Sequence, residues 1–154
     1  MTLHLVRHAA AGDRSRWNGD DLERPLDGRG HDQAAALVEF FAETSIRGVW
    51  SSQATRCTQT VEPLAARHGL TVDVRRELTE GARANDLLEL IRAEALLDRD
   101  LVMCSHGDLI PEVLSRLLRE GMAVIGGRGC EKGSIWTLDA RGRDIVSGTY
   151  TATP

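Results

Sequence analysis

The chain has 154 residues, 42% of them hydrophobic and 27% charged, enough for one core of ordinary domain size, 1–154. Aromatics make up only 4%, so that core must be mostly aliphatic. A formal net charge of −4 argues against a broad nucleic-acid-binding face, which would need clustered cations to neutralise phosphates.

The basic residues are nearly all Arg, with Lys132 the single Lys. Codon bias accounts for the larger share of this, but Arg also supplies the planar fork that grips phosphate with two bonds. Cys57, Cys104 and Cys130 form no C-x-x-C pair, so neither a structural zinc site nor a disulfide framework is expected. Arg7 and His8 interrupt the N-terminal apolar run where a signal peptide would need apolar residues. No stretch is apolar for the ~18 residues of a membrane span. A reduced, cytoplasmic protein is the expectation.

Leu3–Val6 predicts a first strand, followed by polar sequence from Gly12 to Gly30. A helix is expected from about His31, with Ala34, Leu37, Val38 and Phe41 on one face. Ile46–Ser51 predicts a second strand. A second helix, about Ala54–His68, turns Cys57, Val61, Leu64 and Ala65 inward and should be kinked by Pro63. Thr71–Val74 predicts a third strand. Asn85 is the expected cap of a third helix carrying Leu87, Leu88, Ile91 and Ala95. Leu101–Cys104 is continuously apolar, as in a strand buried on both faces. A fourth helix begins near Asp108, with Pro111 in its opening turn. Ser134–Leu138 and Asp144–Tyr150 predict a hairpin turning at Asp139–Gly142.

Strands alternating with helices imply an α/β fold with a mainly parallel sheet. Ligands of such sheets bind beyond the carboxyl ends of the strands. There the sequence places Arg7 and His8, then Ser51, Ser52 and Arg56, then Glu77 and Glu80, then Ser105, His106 and Gly107. Singly, each has an ordinary explanation: a surface Arg-His pair, a solvated helix arginine, a structural histidine, a loop carboxylate. Together they converge on one edge. Arg56 is also oddly placed, because helix N-termini disfavour cations unless an anion lies nearby. Metal chemistry lacks a spaced ligand motif, and Gly129–Ser134 breaks the order of a P-loop. His4, His31 and His68 read as structural or surface residues.

Leu5-Val6-Arg7-His8-Ala9 resembles the Arg-His-Gly signature of the histidine phosphatase superfamily, with Ala9 for the usual Gly. Ser52-Gln53-Ala54-Thr55-Arg56-Cys57-Thr58-Gln59-Thr60 resembles its S-x-x-x-R-x-x-x-T motif, and Ser105-His106-Gly107 its S-H-G motif. Arg24-Pro25-Leu26-Asp27-Gly28-Arg29-Gly30 resembles an element of the short branch that includes the phosphohistidine phosphatase SixA. The resemblance implies a three-layer αβα, phosphoglycerate-mutase-like fold whose sheet is mainly parallel with an antiparallel C-terminal strand.

It also implies a phosphatase that needs no metal or other cofactor. His8 would be the nucleophile. Arg7, Arg56, His106 and Gly107 would surround the phosphate. Glu80 would be the proton donor, with Glu77 as rival. Phosphoryl transfer is mostly positioning and charge stabilisation, which two permanently charged arginines can supply. Neighbouring arginines should also keep the His8 imidazole neutral and nucleophilic.

Arg14 and Trp17 are candidates for holding the rest of the substrate, Trp17 by stacking; a polar loop with a core-covering tryptophan is the plainer reading. The SixA likeness implies a phosphohistidine protein as substrate. The Gly12–Gly30 loop, with Glu62–Ala65 and Lys132–Ser134, also resembles the phosphatase domain fused to some Nudix hydrolases, which implies a phosphorylated small molecule such as a nucleotide or polyphosphate. A mutase would need a lid that so short a chain has no room for. A non-catalytic phosphate-binding regulatory module is the remaining alternative. No nucleic-acid polymer or membrane partner is expected.

Overall fold

The computed structural model describes residues 1–154. The strands are β1 (Thr2–Arg7), β2 (Gly48–Ser51), β3 (Val72–Val74), β4 (Leu101–Ser105), β5 (Ala123–Ile125), β6 (Ile135–Arg141) and β7 (Asp144–Thr151). The helices are α1 (Gly28–Phe40), α2 (Thr55–Arg67), α3 (Ala84–Ala95) and α4 (Leu109–Arg119). The strands form one sheet in the order β3-β2-β4-β1-β6-β7-β5. The β1–β4, β2–β4, β2–β3 and β5–β7 pairs are parallel, and β6 runs antiparallel to both its neighbours. This is the expected mainly parallel α/β sheet with an antiparallel strand near the C-terminus.

Helices cover both faces. One core layer joins Leu87, Leu88 and Ile91 of α3 and Val113 and Leu117 of α4 to Leu3, Leu5 and Met103. The other joins Leu37 of α1 and Cys57, Val61 and Leu64 of α2 to Val6, Val102 and Cys104. Alternation along β1 and β4 sends successive side chains to opposite layers. That is why all five residues of β4 are buried and why its sequence is apolar throughout. No helix is long and apolar enough to cross a membrane.

Several boundaries differ from the sequence expectation. Helix α1 starts at Gly28, because Asp27 caps it by accepting a hydrogen bond from the Gly30 amide at 2.8 Å. Asn85 does not cap α3; it lies inside the helix and accepts a hydrogen bond from Arg116 of α4 instead. Helix α2 runs through Pro63 as one element, held by the burial of Val61, Leu64 and Ala65. Strand β6 continues to Arg141 past an irregularity at Asp139/Ala140, so the hairpin turns at Gly142–Arg143, later than expected. Strand β5 has no counterpart in the sequence reading. Its three residues are exposed or half-buried and pair only with β7, so no apolar pattern marks it. The Gly12–Gly30 segment contains two single 3₁₀ turns, Arg14–Arg16 and Asp21–Glu23, opened by Asp13 and Asp20 as side-chain caps.

Candidate active site

Parallel pairing sets the floor of the site. The β1–β4 register puts Arg7 opposite Ser105, so His8 and His106 leave adjacent strands side by side, with ring centroids 5.4 Å apart. The His8 amide donates to the Ser105 carbonyl at 3.0 Å, and the Ser52 amide donates to the Cys104 carbonyl at 3.0 Å. The three chain exits are thereby tied together just past the sheet edge.

His8 is 6% exposed. Its Nδ1 lies 2.9 Å from the Ala9 carbonyl, which can only accept. Nδ1 therefore carries the proton and Nε2 the lone pair. Burial pushes the imidazole pKa down to about 3, the Ala9 carbonyl opposes this, and His106, Arg56 and Arg7 lower it further. A neutral imidazole with a free Nε2 is the nucleophilic form.

The motifs have structural reasons. Thr60 Oγ1 accepts from the Ala9 amide at 2.9 Å and donates to the Arg56 carbonyl at 2.6 Å. That threonine, one helical turn after Arg56, ties the backbone just after His8 to the arginine's helix. Ser52 Oγ lies 2.8 Å from His106 Nε2 and fixes that ring. At Gly107, a Cβ would come within 2.7 Å of Arg7 Cζ, so only glycine lets the Arg7 guanidinium lie there. At Gly30, a Cβ would sit 1.9 Å from the Ala10 carbonyl oxygen, so α1 approaches the loop after His8 only with glycine.

Arg56 is fully buried, which rules out the solvated reading. Its Nη2 lies 3.2 Å from both Asp21 Oδ2 and Glu80 Oε2, and its Nη1 donates to the Asp21 carbonyl at 2.8 Å. Carboxylates at the start of α2 thus offset the unfavourable placement. Three buried donor or acceptor atoms in this cluster have no partner: Arg7 Nε, Arg56 Nε and His106 Nδ1. Native interiors rarely leave such atoms unsatisfied.

A cavity of about 490 Å³ opens over His8. Its walls are Arg7, Gly12, Asp13, Arg14, Arg24, Glu80, His106, Gly107, Asp108 and Lys132, none of them hydrophobic. Of the sequence candidates, Arg7, His8, Arg14, Glu80, His106 and Gly107 therefore meet in one place, with Arg56 buried behind Glu80. Glu77 does not join them; it lines a separate groove with Arg76, Arg83 and Glu89. Trp17 also lies outside, in an adjoining groove that shares Gly12, Asp13 and Arg24 with the cavity. It is 37% exposed, its indole donates to the Asp20 carbonyl at 2.9 Å, and it belongs to none of the core clusters, so it does not cover the core.

Sequence reasoning missed Asp21, Cys57 and Lys132. Asp21 pairs with Arg14, Arg24 and Arg56 at 3.0–3.2 Å. Partial burial works to raise its carboxyl, and Arg24, Arg56 and Arg14 outweigh that and hold it below the usual range. Its i,i+3 spacing to Arg24 was the available signal. Cys57 Sγ lies 3.5 Å from His106 Nε2, hidden in sequence because it also reads as a core position of α2. No three His, Cys, Asp or Glu side chains come together as a metal-binding set.

The family model of the histidine phosphatase superfamily (branch 1) matches residues 3–83. An 8-oxo-(d)GTP phosphatase from Mycolicibacterium smegmatis is 34% identical over 160 residues, 99% of this chain. The chain belongs to the histidine phosphatase superfamily. The chain spans 48% of the length of the Mycolicibacterium relative. Its fold matches that of the protein histidine phosphatase SixA complexed with tungstate, with a TM-score of 0.79 at 19% identity over 99% of this chain and 95% of that one. A candidate phosphohistidine phosphatase SixA from Nakamurella multipartitia matches with a TM-score of 0.66 at 27% identity, covering 89% and 83%. These likenesses agree with the short, SixA-like branch.

Proposed function

We propose that this phosphatase works through a covalent phosphohistidine on His8 without a metal. The observation that carries the reading is the His8 Nε2 lone pair beside unpartnered Arg7 Nε, Arg56 Nε and His106 Nδ1. A phosphoryl oxygen would satisfy those atoms. Ser52 donating to His106 Nε2 would leave Nδ1 protonated and able to donate to phosphate. Nε2 attacks phosphorus, the P–O or P–N bond breaks, and its electron pair leaves with the departing group. Water then attacks the phosphohistidine and returns His8 Nε2 with its lone pair.

Arg7 and Arg56 offset the charge on the equatorial oxygens, the task a metal performs in other phosphoryl-transfer sites. Glu80 is the proton donor to the leaving group, supported by its place in the His8 cavity; Glu77 faces a different groove. Arg14 and Trp17 contact the rest of the substrate. The protein acts as one domain in a reducing cytoplasm, where Cys57, Cys104 and Cys130 stay free. Its substrate is a phosphohistidine protein or a phosphorylated small molecule. The Mycolicibacterium relative, with the Trp17 groove beside the cavity, supports a nucleotide as the second of these.

The test is a phosphoenzyme trap. Wild type and His8→Ala are mixed with phosphoramidate in the presence of chelator, quenched, and mapped for acid-labile, alkali-stable phosphate. Label on His8 alone is the expected result. Turnover without label would mean direct attack by water and would overturn the covalent route.

A further inference from the structure

The charged walls of the His8 cavity are almost all spoken for. Arg7 Nη1 donates to the Cys130 carbonyl at 2.6 Å. Arg24 donates to Asp21 and to the Ala11 carbonyl. Arg14 is paired with Glu80 and Asp21. The carboxylates are engaged too: Asp13 by Ser15, Asp108 by the Gly81 amide, and Glu80 by Arg14 and Arg56. Lys132 is the exception. Lys132 lines the cavity, and its ammonium makes no hydrogen bond or ion pair with the protein, acting only through space on Asp13 and Asp27.

The backbone that carries Lys132 is nevertheless held firmly. The Lys132 carbonyl accepts from Gln33 Nε2 at 3.3 Å and from Thr153 Oγ1 at 2.7 Å. The next amide, Gly133, donates to the carbonyls of Arg7 and His8 at 3.1 and 3.2 Å. Gln33 also accepts from the Ala10 amide at 2.8 Å, so one side chain braces Lys132 and the segment after His8 together. The backbone at the chain's single lysine is thus fixed relative to His8, while its ammonium has no direct protein partner.

The cavity is also several times larger than a phosphoryl group, so the leaving group shares it. We propose that Lys132 is a specificity-determining residue that binds a negative charge carried by the leaving group. The preferred substrates are then those whose departing portion is itself anionic, through a second phosphate or a carboxylate. A compact ammonium suits this role, because as a point charge it accepts either anion without the bidentate geometry of arginine. The inference rests on the phosphatase reading above.

The experiment compares wild type, Lys132→Met and Lys132→Arg on three donors. The leaving group of ADP bears a phosphate, that of 3-phosphoglycerate bears a carboxylate, and p-nitrophenyl phosphate carries no charge beyond the transferred group. Within each variant, kcat/KM for an anionic donor is divided by that for p-nitrophenyl phosphate, which cancels any general loss. In Lys132→Met the ratio should fall by about tenfold, as expected for one charge-assisted contact, and Lys132→Arg should recover most of it. A fall for ADP alone identifies a phosphate as the bound anion; a fall for 3-phosphoglycerate alone identifies a carboxylate.

Unchanged ratios for both donors would overturn the proposal. Calorimetry in a His8→Ala background, comparing pyrophosphate with orthophosphate, tests Lys132 without turnover. Lys132→Met should weaken pyrophosphate about tenfold more than orthophosphate. Equal weakening there, with unchanged kinetic ratios, removes the role altogether. Loss of turnover in wild type would count against the phosphatase reading alone.

Discussion

At the floor of the cavity and just behind it, His8, His106 and Arg56 are at most 6% exposed and are held by backbone register and short hydrogen bonds. At its rim, the Arg14 side chain is 60% exposed and that of Glu80 38%, and they are held by ion pairs to each other, to Asp21 and to Arg56. The two regions answer to different forces. The floor is fixed by packing, so a small change there strains the fold or misplaces a reacting group. The rim rests on ion pairs that water screens, each contributing only about 0–1 kcal/mol where exposed, so it can rearrange around a substrate. Chemistry should therefore be concentrated in the floor and selectivity in the rim.

Mutations at the floor should have the largest effects. His8→Ala should lower kcat by on the order of 10⁴-fold or more, with fold retained by circular dichroism. A residual rate within tenfold of wild type would move the nucleophile elsewhere. Arg56→Gln should cost roughly 10³-fold in kcat, since it removes phosphate charge stabilisation and strands Asp21 and Glu80 without their buried cation. Steady-state kinetics with an activated ester reads this directly; a loss confined to KM would make Arg56 a binding residue only.

Glu80→Gln bears on the rim. It should slow an alcohol ester by about 10²-fold and an activated aryl ester by much less, because only the poor leaving group needs a proton. Equal slowing of both would remove Glu80 as proton donor and leave it as an anchor for Arg56 and Arg14.

The smallest effect is in pH dependence, and it sharpens the contrast from the side of stability. His8 has a folded pKa of about 3 against the ordinary imidazole value of 6.5, so the unfolded chain takes up a proton that the folded chain refuses. Stability should be unaffected above about pH 6.5 and fall as pH drops from there toward 3. Buried His4, lowered to about 4 by desolvation against opposing Asp100 and Asp139, acts in the same window. Urea unfolding at pH 7.5, 5.5 and 4.5 should give a shallower decline for His8→Gln than for wild type. Identical slopes would mean His8 is not buried as a neutral ring.

Much of the floor was legible in the sequence, because short-range rules govern it. The ends of β1, β2 and β4 could be counted from apolar runs, and strand ends are where α/β sheets bind ligands. His8, Arg56 and His106 followed from that. The rim was less legible. Asp21 and Lys132 lie in loops whose course depends on turns at Asp13, Asp20 and Gly133, and polar loop sequence carries no periodicity. Strand β5 escaped for a related reason, being an edge strand with exposed side chains.

By itself the sequence determined a mainly parallel α/β sheet and which residues sit at its strand ends, since hydrophobic period and strand-end position are local properties. Only the tertiary structure put Glu80 at the His8 cavity and Glu77 at another groove, placed Trp17 outside that cavity, paired Asp21 with Arg56 and left the Lys132 ammonium without a direct protein partner. Those outcomes depend on which loops pack against one another after the sheet has formed. Such long-range geometry has no trace in the spacing of residues along the chain.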